Sequence, residues 1–324
     1  MSTPPSVASD AADAARAAFA ADVARSLALM PRQLPTHYLY DALGSALFDA
    51  ICHLPWYRVA KTEQRLLAAH ASEIFARLKP VSAVVELGPG SGEKLATLMA
   101  VCDDRDVTVH LVDVSPAALD SAATRLLAAS PSLAIVAHEA TYEGGLSAIS
   151  GTRAAAGQTL VVFLGSNIGN FDPAGADALL AALRATLAAG DALLLGTDLV
   201  KPEADLLLAY DDPLGVTAAF DKNLLARVNR ELGGDFDLRQ FAHRAVWNAA
   251  ASRIEMHLVS LRQQRVRVPA AHIDMTLAAG EPIWTESSYK YRLGDLEPVL
   301  GRAGFRVRGQ WSEDGFALTL AEAA

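Results

Sequence analysis

Val84-Val85-Glu86-Leu87-Gly88-Pro89-Gly90-Ser91-Gly92-Glu93-Lys94 reads as an apolar strand, a turn with glycine at alternate positions, and the start of a helix. Glycines at a strand-to-helix turn accept backbone torsions that a Cβ forbids, and they let a ligand come close to the main chain. The free N–H groups at the start of the next helix then face that ligand. Such a turn suits a nucleotide-shaped molecule. The spacing is GxGxG, one residue shorter than the GxGxxG dinucleotide fingerprint.

Two acids complete the pattern. Glu86 sits in the strand itself, and Asp113 ends the next one, Val107-Thr108-Val109-His110-Leu111-Val112-Asp113, 25 residues after Gly88. A carboxylate at that strand end can accept hydrogen bonds from both hydroxyls of a ribose. Together these features read as an S-adenosylmethionine loop. Two other readings stay open at this level. The glycines could simply make a tight turn, with Asp113 capping the helix that begins near Pro116. A nicotinamide cofactor is the other, because acid placement alone does not separate the two.

The chain of 324 residues is long enough for one elaborated domain or two, and at 52% apolar and 20% charged it has the composition of a globular protein. Its net charge of −9, without a basic block, speaks against nucleic acid and against an anionic membrane surface, and for a small-molecule substrate. Cys52 and Cys102 are too few for a disulfide framework, so the expected compartment is the reducing cytoplasm. Residues 1–20 lack the pattern of a signal peptide, and no run approaches 18 apolar residues without a charge or a glycine. The eight histidines form no HxH or HExxH pair, giving a metal site no support, and no GxSxG elbow or Cys-His signature suggests nucleophilic hydrolysis.

Strand and helix patterns alternate from about residue 66 to 199. Strands are expected at 82–87, 107–113, 133–137, 159–164 and 191–197, with helices at 64–78, 92–102, 116–129 and 173–188. This rhythm implies βαβ units and a parallel sheet covered on both faces, with the ligand at the carboxyl ends of its strands. Gly88, Asp113, Thr141-Tyr142 and the loop Gly165-Ser166-Asn167-Ile168-Gly169-Asn170 all follow strand ends. Near the C-terminus, a helix at 294–303 precedes Phe305–Trp311 and Phe316–Leu320, joined through Asp314-Gly315 as a β-hairpin. A terminal antiparallel hairpin on a parallel sheet is the usual finish of class I methyltransferases. The expected fold is therefore α/β: a Rossmann-like parallel sheet with that hairpin, formed by 66–199 and 291–324. Residues 15–65 and 200–290 break the rhythm and are expected to pack together over the crevice as a discontinuous α+β lobe that confers substrate specificity. Within it, 216–231 reads as helix, and 238–248 and 253–266 as strands. Residues 1–14 are expected to be disordered.

From about residue 15 onward the chain resembles the histidine N-alpha-methyltransferases of ergothioneine biosynthesis. The matching pieces include Tyr40-Asp41-Ala42-Leu43-Gly44-Ser45 with Leu47-Phe48-Asp49, Leu54-Pro55 with Tyr57 and Thr62-Glu63, Glu86-Leu87-Gly88, Phe163-Leu164-Gly165-Ser166 with Ile168-Gly169-Asn170, Tyr210-Asp211-Asp212, Val228-Asn229-Arg230-Glu231-Leu232 and Arg253-Ile254-Glu255-Met256. The resemblance implies stepwise methylation of the α-amine of L-histidine to hercynine. It also implies roles for particular residues. Gly88, Gly90, Lys94, Asp113 and Tyr142 would hold the methyl donor, with Tyr40 and Thr141 nearby. Tyr57 would face the amine, Asn170 and Tyr210 the carboxylate, and Glu286 with Ser288 the imidazole. Phe48, Gly165 and Met256 would line the pocket. Thr141 and Asn167 depart from the family pattern, which has Asp and Thr at those places.

Methyl transfer from a sulfonium requires alignment of a neutral amine with the methyl carbon, and no covalent residue. Tyr57 is the candidate for orienting the amine while water carries its proton away; it could equally belong with Trp56 to an aromatic core. Asn170 could make a turn or helix cap before Pro173, Tyr210 and Lys94 could be surface residues, and Met256 could be plain core. Positions 286 and 288 of a strand point to one face, so one carboxylate and one hydroxyl can grip the two nitrogens of one ring; a solvated strand Glu is the plain alternative. Two readings stand beside histidine methylation: methylation of another amino acid such as tryptophan, and a non-catalytic module that binds amino acid or donor. With no coiled coil or long apolar face in the sequence, the chain is expected to be a monomer.

Overall fold

The computed structural model describes residues 7–102, 106–150 and 157–324. Its helices are α1 (Val7–Leu27), α2 (Ala42–His53), α3 (Arg58–Ala76), α4 (Glu93–Met99), α5 (Pro116–Ala129), α6 (Tyr142–Ser150), α7 (Pro173–Thr186), α8 (Glu203–Tyr210), α9 (Val216–Leu232) and α10 (Leu296–Arg302). The strands are β1 (Arg32–Gln33), β2 (Val81–Leu87), β3 (Thr108–Asp113), β4 (Ala134–Glu139), β5 (Gln158–Phe163), β6 (Ala192–Asp198), β7 (Phe241–Asn248), β8 (Arg253–Ser260), β9 (Gln264–Val268), β10 (Ile273–Leu277), β11 (Pro282–Tyr289), β12 (Phe305–Glu313) and β13 (Phe316–Ala323). The described residues fall into two compact units. The larger takes Cys52–Asp205, Ala249–Arg253 and Ser288–Ala324; the smaller takes Met1–Ile51, Leu206–Asn248 and Ile254–Ser287.

In the larger unit a seven-stranded sheet has the order β12-β13-β6-β5-β2-β3-β4. The five strands from β6 to β4 run parallel, while β13 lies antiparallel to β6 and β12 antiparallel to β13. Every residue of β5 and β6 is buried, which is why both read as apolar runs rather than alternating patterns. Register pairs Leu87 with Val112, Glu86 with Val162 and Asp113 with Glu139, so the turns after β2, β3 and β5 leave the same edge of the sheet. The chain reverses its direction of winding at β2, which has β3 on one side and β5 on the other. That is where an open α/β sheet forms its crevice.

Local chemistry fixes the helix starts. Ser115 caps α5 by accepting from the Ala118 N–H at 3.4 Å, and Asp172 caps α7 through Gly175 at 2.7 Å, each with proline at the next position. The cap of α5 is therefore Ser115 and not Asp113. Further elements appear outside the expected pattern: α1, α2, α6, α8, β1 and β10. The expected disorder of 1–14 lies partly outside the described residues, and from Val7 the chain is helical.

The smaller unit holds a β1-β11-β8-β7 sheet and a β9–β10 pair. β8 alternates cleanly, burying Ile254, Met256, Leu258 and Ser260. The single strand expected over 253–266 is two. Ser260 donates through Oγ to the Arg262 carbonyl at 2.7 Å and accepts from Gln264 Nε2 at 2.6 Å, and this side-chain turn ends β8 before β9 begins. The run at 238–248 likewise opens with a 3-10 turn, Leu238–Gln240, before β7. Helix α9 buries Phe220, Leu224, Leu225, Val228 and Leu232 along one stripe. Its first turn donates to Asp212, from Val216 at 3.2 Å and Thr217 at 2.8 Å, and left-handed Gly233 follows its last residue.

Gly92 separates two kinds of constraint in the glycine turn. With φ at 74°, its Cβ would lie 2.7 Å from Ala122 Cα on α5, whereas a Cβ on Gly90, φ 54°, meets no protein atom within 4 Å. Gly92→Ala combines backbone strain with a main-chain overlap and should cost about 2–5 kcal/mol. Gly90→Ala should cost only the strain, about 1–2 kcal/mol. Denaturant unfolding of the two variants checks this; equal losses would contradict the packing role of Gly92.

Candidate active site

The three glycines after β2 do different work. A Cβ on Gly88 (φ 73°) would sit 2.8 Å from Asn167 Nδ2 and 3.0 Å from the Tyr142 hydroxyl, so the turn is closely walled there. Above Gly90 there is open space, and Gly92 lets α4 pack against α5. Asp113 ends β3 with Oδ1 accepting from the Ser115 N–H at 2.8 Å, and burial holds its carboxyl above the usual range against that hydrogen bond. Tyr142 opens α6 and meets Phe163 edge-on at 5.3 Å; burial first, and the nearby Asp113 charge, push its phenol up. Thr141 is exposed, its hydroxyl accepting from the Gly144 N–H at 3.3 Å at the start of α6.

Beneath this turn lies a compact charge cluster. Glu63 on α3 is fully buried and accepts from the Gly165 N–H with both oxygens at 2.9 Å, and from Lys94 Nζ at 2.8 Å. Burial works against the Lys94 ammonium, but the charge and hydrogen bond of Glu63 hold its pKa above the ordinary value. Glu86 is 1% exposed and neither carboxyl oxygen has a hydrogen-bond partner. Burial pushes its pKa up to about 8; Lys94 opposes this, while Glu63 and Asp113 reinforce it. In the sequence Glu63 stands only within the matching piece Thr62-Glu63, with no role assigned to it. The available signal was a carboxylate four residues from both Val59 and Leu67, in the buried stripe of an amphipathic helix.

The loop after β5 carries two successive left-handed residues, Gly165 (φ 74°) and Ser166 (φ 58°), then the 3-10 turn Asn167–Asn170. The strained Ser166 is held by its hydroxyl, which accepts from the Asp198 N–H at 2.9 Å. Gly169 has no room for a side chain, since a Cβ would lie 2.7 Å from the Tyr289 carbonyl. Asn170 closes the turn, half-buried. Tyr57 is buried immediately before α3, and Ser288 is buried with its hydroxyl 2.7 Å from Lys290 Nζ.

The remaining candidates belong to the smaller unit. Tyr40 meets Phe48 at 5.6 Å and Phe220 at 5.5 Å, both edge-on, in a three-ring cluster. Tyr210 is buried at the end of α8, its carbonyl accepting from His243 Nε2 at 2.8 Å, while His243 Nδ1 meets Asp221 Oδ2 at 2.7 Å. Burial alone would depress the His243 pKa; the Asp221 hydrogen bond and charge raise it above its ordinary value. Met256 and Glu286 are buried on β8 and β11. The Met256 carbonyl accepts from Thr285 Oγ1 at 3.0 Å, and the Glu286 carbonyl from Trp284 Nε1 at 2.8 Å. Gly88, Gly90, Lys94, Asp113, Tyr142 and Gly165 thus gather in the larger unit, together with Thr141, Tyr57, Asn170 and Ser288.

The residues around the glycine turn fit S-adenosylmethionine. The open space over Gly90, the carboxylate ending β3 and the two unpartnered oxygens of buried Glu86 suit a ligand rich in donors and carrying positive charge. The model of the family described as histidine-specific, SAM-dependent methyltransferase matches residues 19–323. The histidine N-alpha-methyltransferase of Mycolicibacterium smegmatis is 42% identical over 315 residues, covering 96% of this chain and 97% of that one. That of Mycobacterium tuberculosis is 40% identical over 313 residues, covering 95% and 96%. Ergothioneine biosynthesis protein 1 of Neurospora crassa is 27% identical over 293 residues, covering 87% of this chain and 32% of that longer protein.

Glu86 gives the site a measurable pH signature. Folded Glu86 keeps its proton to about pH 8, against 4.5 for the ordinary carboxyl. Between these values the folded state binds the extra proton, so rising pH destabilises the ligand-free protein, by up to about 1.4 kcal/mol per pH unit. Glu86→Gln removes this dependence. Its melting temperature should gain on the parent protein from pH 5 to pH 8, and a constant difference across that window would contradict the assignment.

Proposed function

The chain belongs to the histidine-specific, S-adenosylmethionine-dependent methyltransferases, and from that membership we propose that it methylates the α-amine of free L-histidine stepwise to the trimethylated betaine hercynine, in ergothioneine biosynthesis. The observation that carries this reading is a glycine cradle with a buried, unpartnered acid in a chain that also buries a carboxylate and a hydroxyl two residues apart on one strand, Glu286 and Ser288. S-adenosylmethionine supplies the electrophilic methyl carbon.

The protein's task is alignment and exclusion of water, and alignment contributes about 7–11 kcal/mol in favourable cases. Gly88 and Gly90 admit the donor to the main chain, Asp113 accepts from its ribose hydroxyls, Tyr142 packs beside the turn, and Thr141 and Tyr40 also serve the donor. Lys94, held charged by Glu63, attracts the donor's carboxylate. Tyr57 orients the amine, which must lose a proton before each attack, and its ring favours the growing ammonium by about 0.5–2 kcal/mol. Asn170 and Tyr210 donate to the histidine carboxylate, which explains recognition without arginine. Glu286 and Ser288 take the two ring nitrogens, while Phe48, Gly165 and Met256 shape the pocket. In this scheme 66–199 and 291–324 hold the donor, 15–65 and 200–290 set specificity, and the chain works as a cytoplasmic monomer. No helix among the described residues is long and apolar enough to cross a membrane.

Incubation with isotopically labelled donor and histidine, followed by product masses over time, should give mono-, di- and trimethylhistidine in succession. Glu286→Ala should raise the KM for histidine at least tenfold while leaving donor binding unchanged. Preferential methylation of tryptophan in a mixture of free amino acids, or donor binding without turnover, would overturn the substrate assignment.

A further inference from the structure

Ser288 is in contact with an ammonium. Lys290 Nζ lies 2.7 Å from Ser288 Oγ and 2.9 Å from Asp198 Oδ2. The other oxygen of Asp198 takes Lys201 Nζ. Lys290 and Asp198 are buried to 0% and 2% side-chain exposure. The backbone fixes the arrangement: the Lys290 N–H donates to the Ser252 carbonyl at 2.7 Å, Tyr291 to Asp198 at 3.0 Å and Val200 to Tyr291 at 2.9 Å. An ion pair buried this fully is weak evidence for stability, so its placement against one hydroxyl calls for another explanation.

We propose that Lys290 is a positioning residue that sets the proton polarity of Ser288 and thereby makes the site select the neutral imidazole ring in one tautomer. The inference rests on the reading that Ser288 contacts the substrate ring. An ammonium has three donors and no acceptor, so Nζ donates to Oγ. An oxygen that accepts from an ammonium in a site of low dielectric becomes a poorer acceptor toward a second donor, and its own hydrogen a stronger donor. Ser288 therefore meets the ring as a donor. The Glu286 carboxylate, two residues earlier on β11, meets it as an acceptor. One acceptor and one donor match a ring with one N–H and one bare nitrogen; an imidazolium, with two N–H groups, mismatches at Ser288. Asp198, with Oδ2 at 2.9 Å, is the counter-charge beside the Lys290 ammonium. Lys201 balances the remaining charge of Asp198.

The test is steady-state kinetics at saturating donor for the parent protein, Ser288→Ala, Lys290→Met, Lys290→Arg and the Ser288→Ala/Lys290→Met double variant. Ser288→Ala and Lys290→Met should each raise the KM for histidine about tenfold, with the donor KM unchanged. The double variant should be no worse than Ser288→Ala, and Lys290→Arg should recover most of the loss. Histidine affinity of the parent should fall as the pH drops through about 6.5, where the free ring takes its second proton; in Lys290→Met the fall should be shallower. If Ser288→Ala leaves histidine kinetics unchanged, the reading of the site fails and this inference with it. If Ser288→Ala acts but Lys290→Met adds its full effect in that background, or has none alone, only the inference fails. Should Lys290→Met not fold, Asp198→Asn/Lys290→Met, which removes both buried charges, is judged by the same criteria.

Discussion

The larger unit depends on one buried carboxylate. Glu63 receives the Gly165 N–H and the Lys94 ammonium together, and so ties the first turn of α4 to the loop after β5. Burying an unpaired carboxylate costs several kcal/mol, so α3 can dock there only with both partners in place. The neighbouring sequence conforms to it. Gly165 adopts a left-handed conformation in donating to Glu63, and a Cβ on Gly196 of β6 would overlap Glu63 Oε1. Glycine at 196, in the middle of a fully buried strand, makes room for a charge.

Around Lys94 stand two acids, Glu63 and Glu86, and the charge of Asp113 acts on Glu86 in turn. Burial raises both Asp113 and Glu86; backbone N–H groups offset the rise at Asp113, while Glu86, which has no hydrogen-bond partner, is pushed up to about 8. A site with surplus acid and a reluctant carboxyl is poised for a cationic ligand, as a sulfonium donor is. The same device recurs at the end of β11, where Asp198 sits between two lysines and holds one of them against a hydroxyl. In both places a buried ion pair also engages a neighbouring polar group, the Gly165 N–H in one and the Ser288 hydroxyl in the other.

Much of the larger unit was legible in the sequence because its signals are local. Apolar runs of β-branched residues and leucine marked the buried strands, Pro116 and Pro173 stood at the expected helix starts, and Asp314-Gly315 marked the hairpin. The glycine turn was legible because alternate glycines after an apolar strand have few other uses. Glu63 was not, because its meaning comes from Gly165, 102 residues away, and a lone Glu in a helix carries no pattern. Lys290 escaped for the same reason, since its partner Asp198 lies on another strand. The division of 253–266 into β8 and β9 turns on hydrogen bonds of Ser260 that alternation cannot reveal. The substrate roles proposed for Glu286, Asn170 and Tyr210 rest on resemblance to a family, because buried polar residues look alike in sequence whether they meet a ligand or a neighbour.

The most direct measurement is calorimetry on Glu63→Gln with S-adenosylhomocysteine and with histidine. The substitution keeps the size of the side chain and one acceptor for Gly165 while removing the charge that holds Lys94. If this carboxylate organises the donor and acceptor loops together, both affinities fall, the donor product's at least tenfold. A variant that melts at a lower temperature but binds both ligands as the parent does would contradict the account.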